Sequence, residues 1–280
     1  MFDRIRRGWE LTKKSWHVVR SNPGLVRLPI QGGVLALIFG ALFGVPGAIL
    51  LADDQGSTVT KIGGGVLVAI GVYLAAFFVV YYNVALAAAA EQALTGQRVD
   101  LHAARAIARE RIAIIAAWAL VSAVVSAVLS FLRDKGVGGE VVAGIGGAIW
   151  SLVTFLVVPV IAFEDVGPFA AMRRSATLFR SRWGQQVTGN LVIGGIAGLV
   201  VVVGGLIVAG GVALLAAGDG AAEVFGGMLL LLGLAIAIGG AVFSGATRGV
   251  FGVALYHYVA QDQAVAPFSV QDLESAARPR

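Results

Sequence analysis

Six apolar runs, separated by short polar or glycine-containing segments, make up most of the chain. They occupy residues 29–52, 62–82, 112–132, 140–163, 187–217 and 222–247. A helix needs about 20 residues to cross the hydrocarbon core of a bilayer, and each run is at least that long. The pattern therefore predicts an all-α, polytopic membrane bundle of six transmembrane helices, arranged as three hairpins.

A different periodicity precedes the first apolar run. In the segment FDRIRRGWELTKKSW, residues 2–16, bulky side chains recur at steps of three, four and seven residues: Phe2, Ile5, Trp9 and Trp16. This spacing places them on one helical face, whereas Arg6 and Arg7 belong to the more polar remainder. We expect an amphipathic helix in the membrane interface, with its tryptophans toward acyl chains and its cations toward head groups.

A similar segment, FAAMRRSATLFRSRW, lies at residues 169–183, between the fourth and fifth runs. After a shift of 167 residues, five positions are identical: Phe2 with Phe169, Arg6 with Arg173, Arg7 with Arg174, Leu11 with Leu178 and Trp16 with Trp183. A weaker copy, LHAARAIARER at residues 101–111, follows Asp100, a residue suited to cap a helix N-terminus. We interpret the chain as three repeated units, each an amphipathic helix followed by a hairpin.

These units predict one membrane domain over residues 1–280. It comprises an N-terminal amphipathic helix at residues 1–28, a first hairpin at 29–95, a second unit at 98–163, a third unit at 167–260 and a cytoplasmic tail at 261–280. Ser269 and Asp272 have the spacing of a capping box, which predicts one more short helix in the tail.

Composition and charge support the membrane assignment and add an orientation. The chain is 58% hydrophobic and 13% charged, against about 25% charged residues in soluble domains. Of its 21 Lys and Arg residues, 18 lie on the side of the termini and 3 on the other side. By the positive-inside rule both termini are cytoplasmic. The net charge of +5 then predicts contact with anionic lipid rather than nucleic acid.

Small residues recur every four positions in the first and sixth runs: Gly32, Ala36, Gly40, Gly44 and Ala48, and then Gly233, Ala237, Ala241, Gly245 and Gly249. Such stripes let helix backbones approach closely in a membrane. They predict packing either within one chain or between copies of it. Pro46 and Pro159 lie inside apolar runs and are expected to kink their helices.

Few polar side chains interrupt the apolar runs or lie at their ends, and these are the intramembrane candidates: Arg248, Asn83, His257, Glu91 and Glu164. Arg248 is either an anchor that reaches the interface or a partner for a lipid phosphate or a carboxylate. Glu91 and Glu164 are its first candidate partners. Asn83 follows two tyrosines typical of an interfacial belt, so both it and His257 also have structural interpretations.

Catalytic and metal-binding patterns are missing from the sequence. It has no cysteine, no H-E-x-x-H, no G-x-S-x-G and no P-loop, and its three histidines are scattered. We therefore expect no enzyme activity, no cofactor and no metal.

The segments FDRIRRGWELTKKSW and PVIAFEDVGPFAAMRRSATLFRSRWGQQVTGN, the latter at residues 159–190, resemble an uncharacterised family of prokaryotic six-span membrane proteins. The chain is also distantly similar to the membrane domain fused to some glycerophosphodiester phosphodiesterases, in which catalysis belongs to a separate soluble domain. The resemblance implies a location in a prokaryotic plasma membrane and an association with lipid.

Two functional hypotheses follow. The first is a non-enzymatic scaffold or accessory protein associated with lipid or a membrane complex. Its candidate interface residues are Trp9, Trp16, Arg6, Arg7, Arg173, Arg174 and Trp183, and its expected partners are anionic lipids and either further copies of the chain or other membrane proteins. The alternative is a transporter or channel for a lipid-like or small substrate, with the intramembrane polar residues lining its path.

Overall fold

A computed structural model describes residues 2–183, 190–216 and 220–277, and within these ranges the chain is helical without any strand. The helices are α1 Phe2–Ser21, α2 Gly24–Ala52, α3 Thr58–Leu94, α4 Leu101–Glu110, α5 Ile112–Arg133, α6 Val137–Thr154, α7 Val157–Phe163, α8 Pro168–Trp183, α9 Asn190–Ala216, α10 Gly220–Gln261 and α11 Val270–Ala277. The predicted all-α class is confirmed.

Four described helices are long and apolar enough to cross a membrane: Gly24–Ala52, Thr58–Leu94, Ile112–Arg133 and Ala222–Gln261. Among the described residues of α6 and α9, the apolar stretches are Val137–Ser151 and Val202–Ala216. The structure therefore shows four candidate spans, as is typical of a membrane protein. A crossing by α6 and α9 stays a prediction.

Local sequence explains where several helices begin. The Ser57 hydroxyl accepts a hydrogen bond from the Thr60 N–H at 3.2 Å at the start of α3. Asp100 caps α4 as expected, accepting from the N–H groups of His102 and Ala103 at 2.8 and 3.2 Å. At α11, Ser269 and Asp272 exchange backbone and side-chain hydrogen bonds, so the predicted capping box is present.

Two helices continue well beyond the apolar runs that predicted them. The apolar run of α3 ends at Tyr82, but the helix continues to Leu94. The apolar run of α10 ends at Thr247, but the helix continues to Gln261. In α3 the extension contains six alanines, the best helix former, so the helix does not stop where the strongest hydropathy stops.

These extensions build the core of the protein. Its largest buried segments are residues 84–90 of α3, 159–162 of α7 and 250–259 of α10, with α1, α4, α8 and α11 packed around them. We call this end of the bundle the base. The opposite ends of the hairpins, which we call the arms, expose apolar side chains such as Leu37, Leu206 and Leu231. Lipid can cover these side chains without free-energy cost.

Glycine backbones hold the arms together. A Cβ on Gly47 would lie 2.7 Å from the Gly64 carbonyl oxygen, and a Cβ on Gly211 would lie 2.8 Å from that of Gly226. Small residues of the predicted stripes also face a helix of the same chain, Gly32 toward Tyr82 and Gly233 toward α9. At these positions the small residues thus pack against helices of the same chain, which is one of the two alternatives predicted for the stripes.

The second hairpin is interrupted near Pro159. A turn at residues 155–156 separates α6 from α7, four residues before the proline, where its missing N–H and its ring disturb the helix. The hydroxyl of Ser175 in α8 donates to the Val153 carbonyl at 2.6 Å and accepts from the Leu156 N–H at 3.2 Å. By contrast, α2 runs through Pro46 as one helix.

Candidate functional site

The N-terminal helix α1 has two distinct faces. Its buried residues, Leu11, Thr12, Ser15, Val18 and Val19, lie where α1 packs against α9, α10 and α11. Its exposed side carries Trp9 and Trp16, which are 44% and 36% exposed, together with Lys13 and Arg20. The Trp16 ring also lies 4.7 Å from the ring of Phe243 in α10. The side chains of Arg6 and Arg7 lie outside the described part.

A matching face occurs on α8. Leu178 is 4% exposed, as its repeat counterpart Leu11 is 5% exposed, so both attach their helices to the base. Phe169, Arg173 and Arg180 are exposed on the other side of α8. The side chain of Trp183 lies outside the residues that the structure describes.

Arg174, predicted to contact lipid, takes part in a polar cluster of the base. Its Nε donates to the Glu164 carboxylate at 3.0 and 3.2 Å, and the Tyr256 hydroxyl donates to the same carboxylate at 2.9 Å. Next to this cluster Arg111 pairs with Asp165. These contacts connect the junction of α4 and α5, the end of α7, α8 and α10.

His257 lies in a second cluster. Its Nε2 is hydrogen-bonded to the Glu91 carboxylate, and its Nδ1 lies 2.7 Å from the side-chain oxygen of Gln261. The His257 side chain is 7% exposed, so this contact fastens α3 to α10 inside the base. Glu91 and Glu164 thus have partners other than Arg248.

Between the hairpins lies a partly open cavity of about 670 Å³. α3, the α6–α7 segment, α9 and α10 contribute its walls: Asn83, Ala87, Phe155, Val158, Pro159, Val202, Ala241, Ser244, Gly245, Arg248, Gly249 and Gly252. The fold therefore brings together Asn83 and Arg248, two candidates from separate runs. Ser244 was missed, although it lies one helical turn before Arg248 on the same face.

The position of Arg248 along α10 sets its depth. It lies 28 residues after Gly220, the first described residue of α10, or about 42 Å along a helix that rises 1.5 Å per residue. The hydrocarbon core is about 30 Å thick. A helix that enters it at Gly220 would leave it before Arg248, which would then lie at the head-group level on the side of the base.

Outside the spans, two carboxylates have perturbed acidity. The N–H groups of Ala103 and His102 lower the pKa of Asp100. Burial by itself would raise the pKa of Asp272, but hydrogen bonds from Lys14 and Ser269 outweigh it and hold that pKa below its usual value. Asp272 thereby links α11 to α1.

A comparison with known families gives one match. Residues 63–266, nearly three quarters of the chain, match a family of unknown function, DUF6159. The chain belongs to this family. No curated protein and no solved structure matches the chain, so the expected similarity to the membrane domain of glycerophosphodiester phosphodiesterases has no support.

For this DUF6159 chain, the candidate site consists of helix faces and a cavity. Among the described residues, no three His, Asp or Glu side chains are grouped so that they could hold a metal ion. The structure offers two features on which a function can act: the exposed aromatic and basic faces of α1 and α8, and the cavity with Arg248 and Asn83.

Proposed function

We propose that this protein is a non-enzymatic, six-span protein of a prokaryotic plasma membrane, with both termini cytoplasmic. It associates with anionic lipid through the exposed faces of α1 and α8, and so organises lipid or a membrane complex around its base. The observation that carries the proposal is the exposed pair Trp9 and Trp16 beside Lys13 and Arg20 on a helix already anchored by its other face.

The proposal is supported by the two faces of α1, one of which packs on protein while the other is exposed. Leu11, Val18 and Val19 already dock the helix on protein, whereas Trp9 and Trp16 keep 44% and 36% of their surface exposed, although Trp16 also lies beside Phe243. Trp is enriched at the head-group level, where an amphipathic ring has both apolar and polar surroundings. Basic residues near the surface of an anionic leaflet each contribute about 1 kcal/mol of attraction. The combination favours an interface rich in anionic lipid.

Charge reversal tests this proposal. A triple variant, Arg20→Glu, Arg173→Glu and Arg180→Glu, changes exposed cations of α1 and α8 and leaves the Arg174–Glu164 pair intact. Native mass spectrometry of detergent-purified protein should show a severalfold loss of retained anionic phospholipid, with zwitterionic phospholipid unchanged.

The matched control carries the same change in charge at the opposite end of the hairpins, with Lys61→Glu, Arg133→Glu and Lys135→Glu. It should retain anionic lipid as the wild type does. An equal loss in both triple variants would show a response to net charge alone and would contradict the proposal.

The cavity favours a second candidate function, a transporter for a lipid-like or small substrate. The walls of the cavity come from all three hairpins, and it holds polar side chains at its base end. Reconstituted vesicles with a fluorescent lipid in one leaflet would test it. Transfer that is faster than in protein-free vesicles and slowed by Ala241→Phe, which fills the cavity, would support transport. Unchanged transfer would exclude it for that lipid.

A further inference from the structure

We infer that the cavity is a binding site for one anionic amphiphile, with a phosphate or carboxylate head at Arg248 and an apolar chain directed toward the arms. This inference goes beyond the proposed function, because the site is separate from the faces of α1 and α8 and needs neither of them.

The chemistry of the walls supports this class of ligand. Among the described residues that line the cavity, Arg248 is the charged one, and Asn83 and Ser244 supply an amide and a hydroxyl. The other lining residues are apolar or glycine, including Phe155 and Val158. A guanidinium offers a planar set of donors that suits phosphate and carboxylate oxygens. A free inorganic anion would leave most of this apolar wall without a partner.

The cavity is polar at Arg248 and apolar at Ala241, as a lipid leaflet is polar at its head groups and apolar at its chains. With α10 entering the hydrocarbon core at Gly220, Arg248 lies at the head-group level on the side of the base. Ala241, also in the wall, lies seven residues earlier on α10, about 10 Å closer to the membrane centre. An amphiphile oriented as in the surrounding leaflet would therefore place its head at Arg248 and its chain beside Ala241.

Three glycines of α10 belong to the cavity wall, and two of them face the first hairpin. Gly245, Gly249 and Gly252 all belong to the wall. A Cβ on Gly249 would lie 2.5 Å from Leu86 of α3, and one on Gly245 would lie 3.6 Å from Pro29 of α2. These glycines let α10 approach the first hairpin while adding no bulk to the cavity.

The size of the cavity also suits a ligand of this kind. Its volume of about 670 Å³ falls within the range of roughly 300–1,000 Å³ for pockets that enclose small ligands. The cavity is partly open, so the part of a ligand chain that exceeds its volume can extend out of it.

Titration of the full-length, delipidated protein with lysophosphatidic acid tests the site. Native mass spectrometry should show one tightly bound molecule, with lysophosphatidylcholine of the same chain length and inorganic phosphate both weaker. Arg248→Gln should weaken lysophosphatidic acid binding by about tenfold or more, since a charge-assisted contact is lost. Ala241→Phe should abolish the tight site while leaving Arg248 in place.

Matched controls make the result specific. Ala235→Phe adds the same bulk to α10 at an exposed position outside the cavity, and Arg133→Gln removes a cation from the far end of α5; both should bind as the wild type does. The triple variant at Arg20, Arg173 and Arg180 should also keep the tight site, which separates this inference from the proposed function.

Three results would overturn the inference. The first is tight binding that survives both Arg248→Gln and Ala241→Phe. The second is equal affinity for lysophosphatidylcholine, and the third is inorganic phosphate that binds as tightly as lysophosphatidic acid. Thermal unfolding of each variant in the same detergent would identify any that is misfolded. If either Arg248→Gln or Ala241→Phe is misfolded, binding by the other one tests the inference.

Discussion

The arms and the base of this protein are held together by different means. In the arms, α2 with α3 and α9 with α10 pack through glycine backbones, and most other apolar side chains face outward. In the base, helices from all three hairpins share a buried core and are joined by ion pairs and hydrogen bonds. The difference teaches that the two helices of each outer hairpin pack against each other. Among the described residues, it is the base that joins the three hairpins, with the cavity at the junction.

The first and third hairpins have the same arm packing. Gly40 and Gly47 of α2 approach α3 at Gly71 and Gly64, and Gly204 and Gly211 of α9 approach α10 at Gly233 and Gly226. The offset is 164 residues between α2 and α9 and 162 between α3 and α10. The contacts thus extend the similarity of α1 and α8 into the hairpins that follow them.

The second hairpin is packed differently. Trp118 of α5 stacks on Trp150 of α6, with ring centroids 5.6 Å apart, and the α6–α7 break depends on Ser175 of α8. Stacked rings hold helices farther apart than glycines do. Among its described glycines, Gly139 lies against the Leu132 backbone beside the connecting turn, whereas farther along α6 Gly146 faces a Leu129 side chain. The close backbone contact of this hairpin is therefore at its turn, and its broken helix borders the cavity.

The largest effect is expected where two backbones touch in the arms. Gly47→Val and, separately, Gly211→Val place side-chain atoms against backbone that cannot move aside without separating the helices. Each should destabilise the protein by about 3 kcal/mol, at the upper end of the usual cost of overpacking. Thermal unfolding followed by circular dichroism in detergent measures the loss, which should be similar in the two hairpins if they are equivalent.

Two neighbouring glycines serve as controls for this prediction. A Cβ on Gly44 or on Gly210 meets nothing within 4 Å, so Gly44→Val and Gly210→Val should unfold near the wild-type temperature. A large loss of stability in only one of Gly47→Val and Gly211→Val would show that the outer hairpins are not equivalent.

A smaller effect is expected at the broken helix of the base. Ser175→Ala removes one hydroxyl that serves both the Val153 carbonyl and the Leu156 N–H in a buried position. Leaving such groups without partners costs about 1–3 kcal/mol, which unfolding in detergent would detect. Thr177→Ala is the control, because the Thr177 hydroxyl is exposed and donates a hydrogen bond within its own helix, to the Arg173 carbonyl oxygen at 2.9 Å. Equal stability of the two variants would mean that Ser175 does not support the break.

The smallest effect concerns the edge of the base, where Asp272 of α11 pairs with Lys14 of α1. The folded-state pKa of Asp272 is lowered, so its contribution to docking is present above the ordinary value of about 3.9. That contribution is lost as the pH falls through the lowered pKa. Docking of α11 on α1 should therefore weaken only in acid.

Since the chain has no cysteine, labels at His17→Cys and Gln271→Cys, both exposed positions, can report the distance between α1 and α11. The distance should increase in the otherwise native chain as the pH is lowered stepwise from 6 to below the lowered pKa of Asp272. It should not respond to pH in this interval after Asp272→Asn. An unchanged distance with Asp272 present would contradict the assigned link.

Much of the fold was predictable because its signals are local. Helix caps at Asp100 and Ser269 depend on contacts within three residues, and the apolar runs located the long helices to within a few residues at most ends. The extensions of α3 and α10 were not predictable from hydropathy, because alanine-rich turns remain helical without being strongly apolar.

The candidate site was predictable only as separate residues. Arg248, Asn83 and His257 stand out because polar side chains are rare in such runs, but nothing local indicates that Asn83 and Arg248 share a cavity or that His257 bonds to Glu91. Ser175 and Gly47 gave no signal that distinguished them from other serines and glycines. Their importance comes from partners far away in sequence.

The sequence by itself determined the helical class, the long apolar helices typical of a membrane protein and the capping of several helices, since these depend on hydropathy and on neighbours within a few turns. Only the tertiary structure decided which glycines touch, which acids pair with His257 and Arg174, and that the hairpins enclose a cavity at Arg248. Contacts between helices depend on their relative rotation and register, which short-range patterns do not specify.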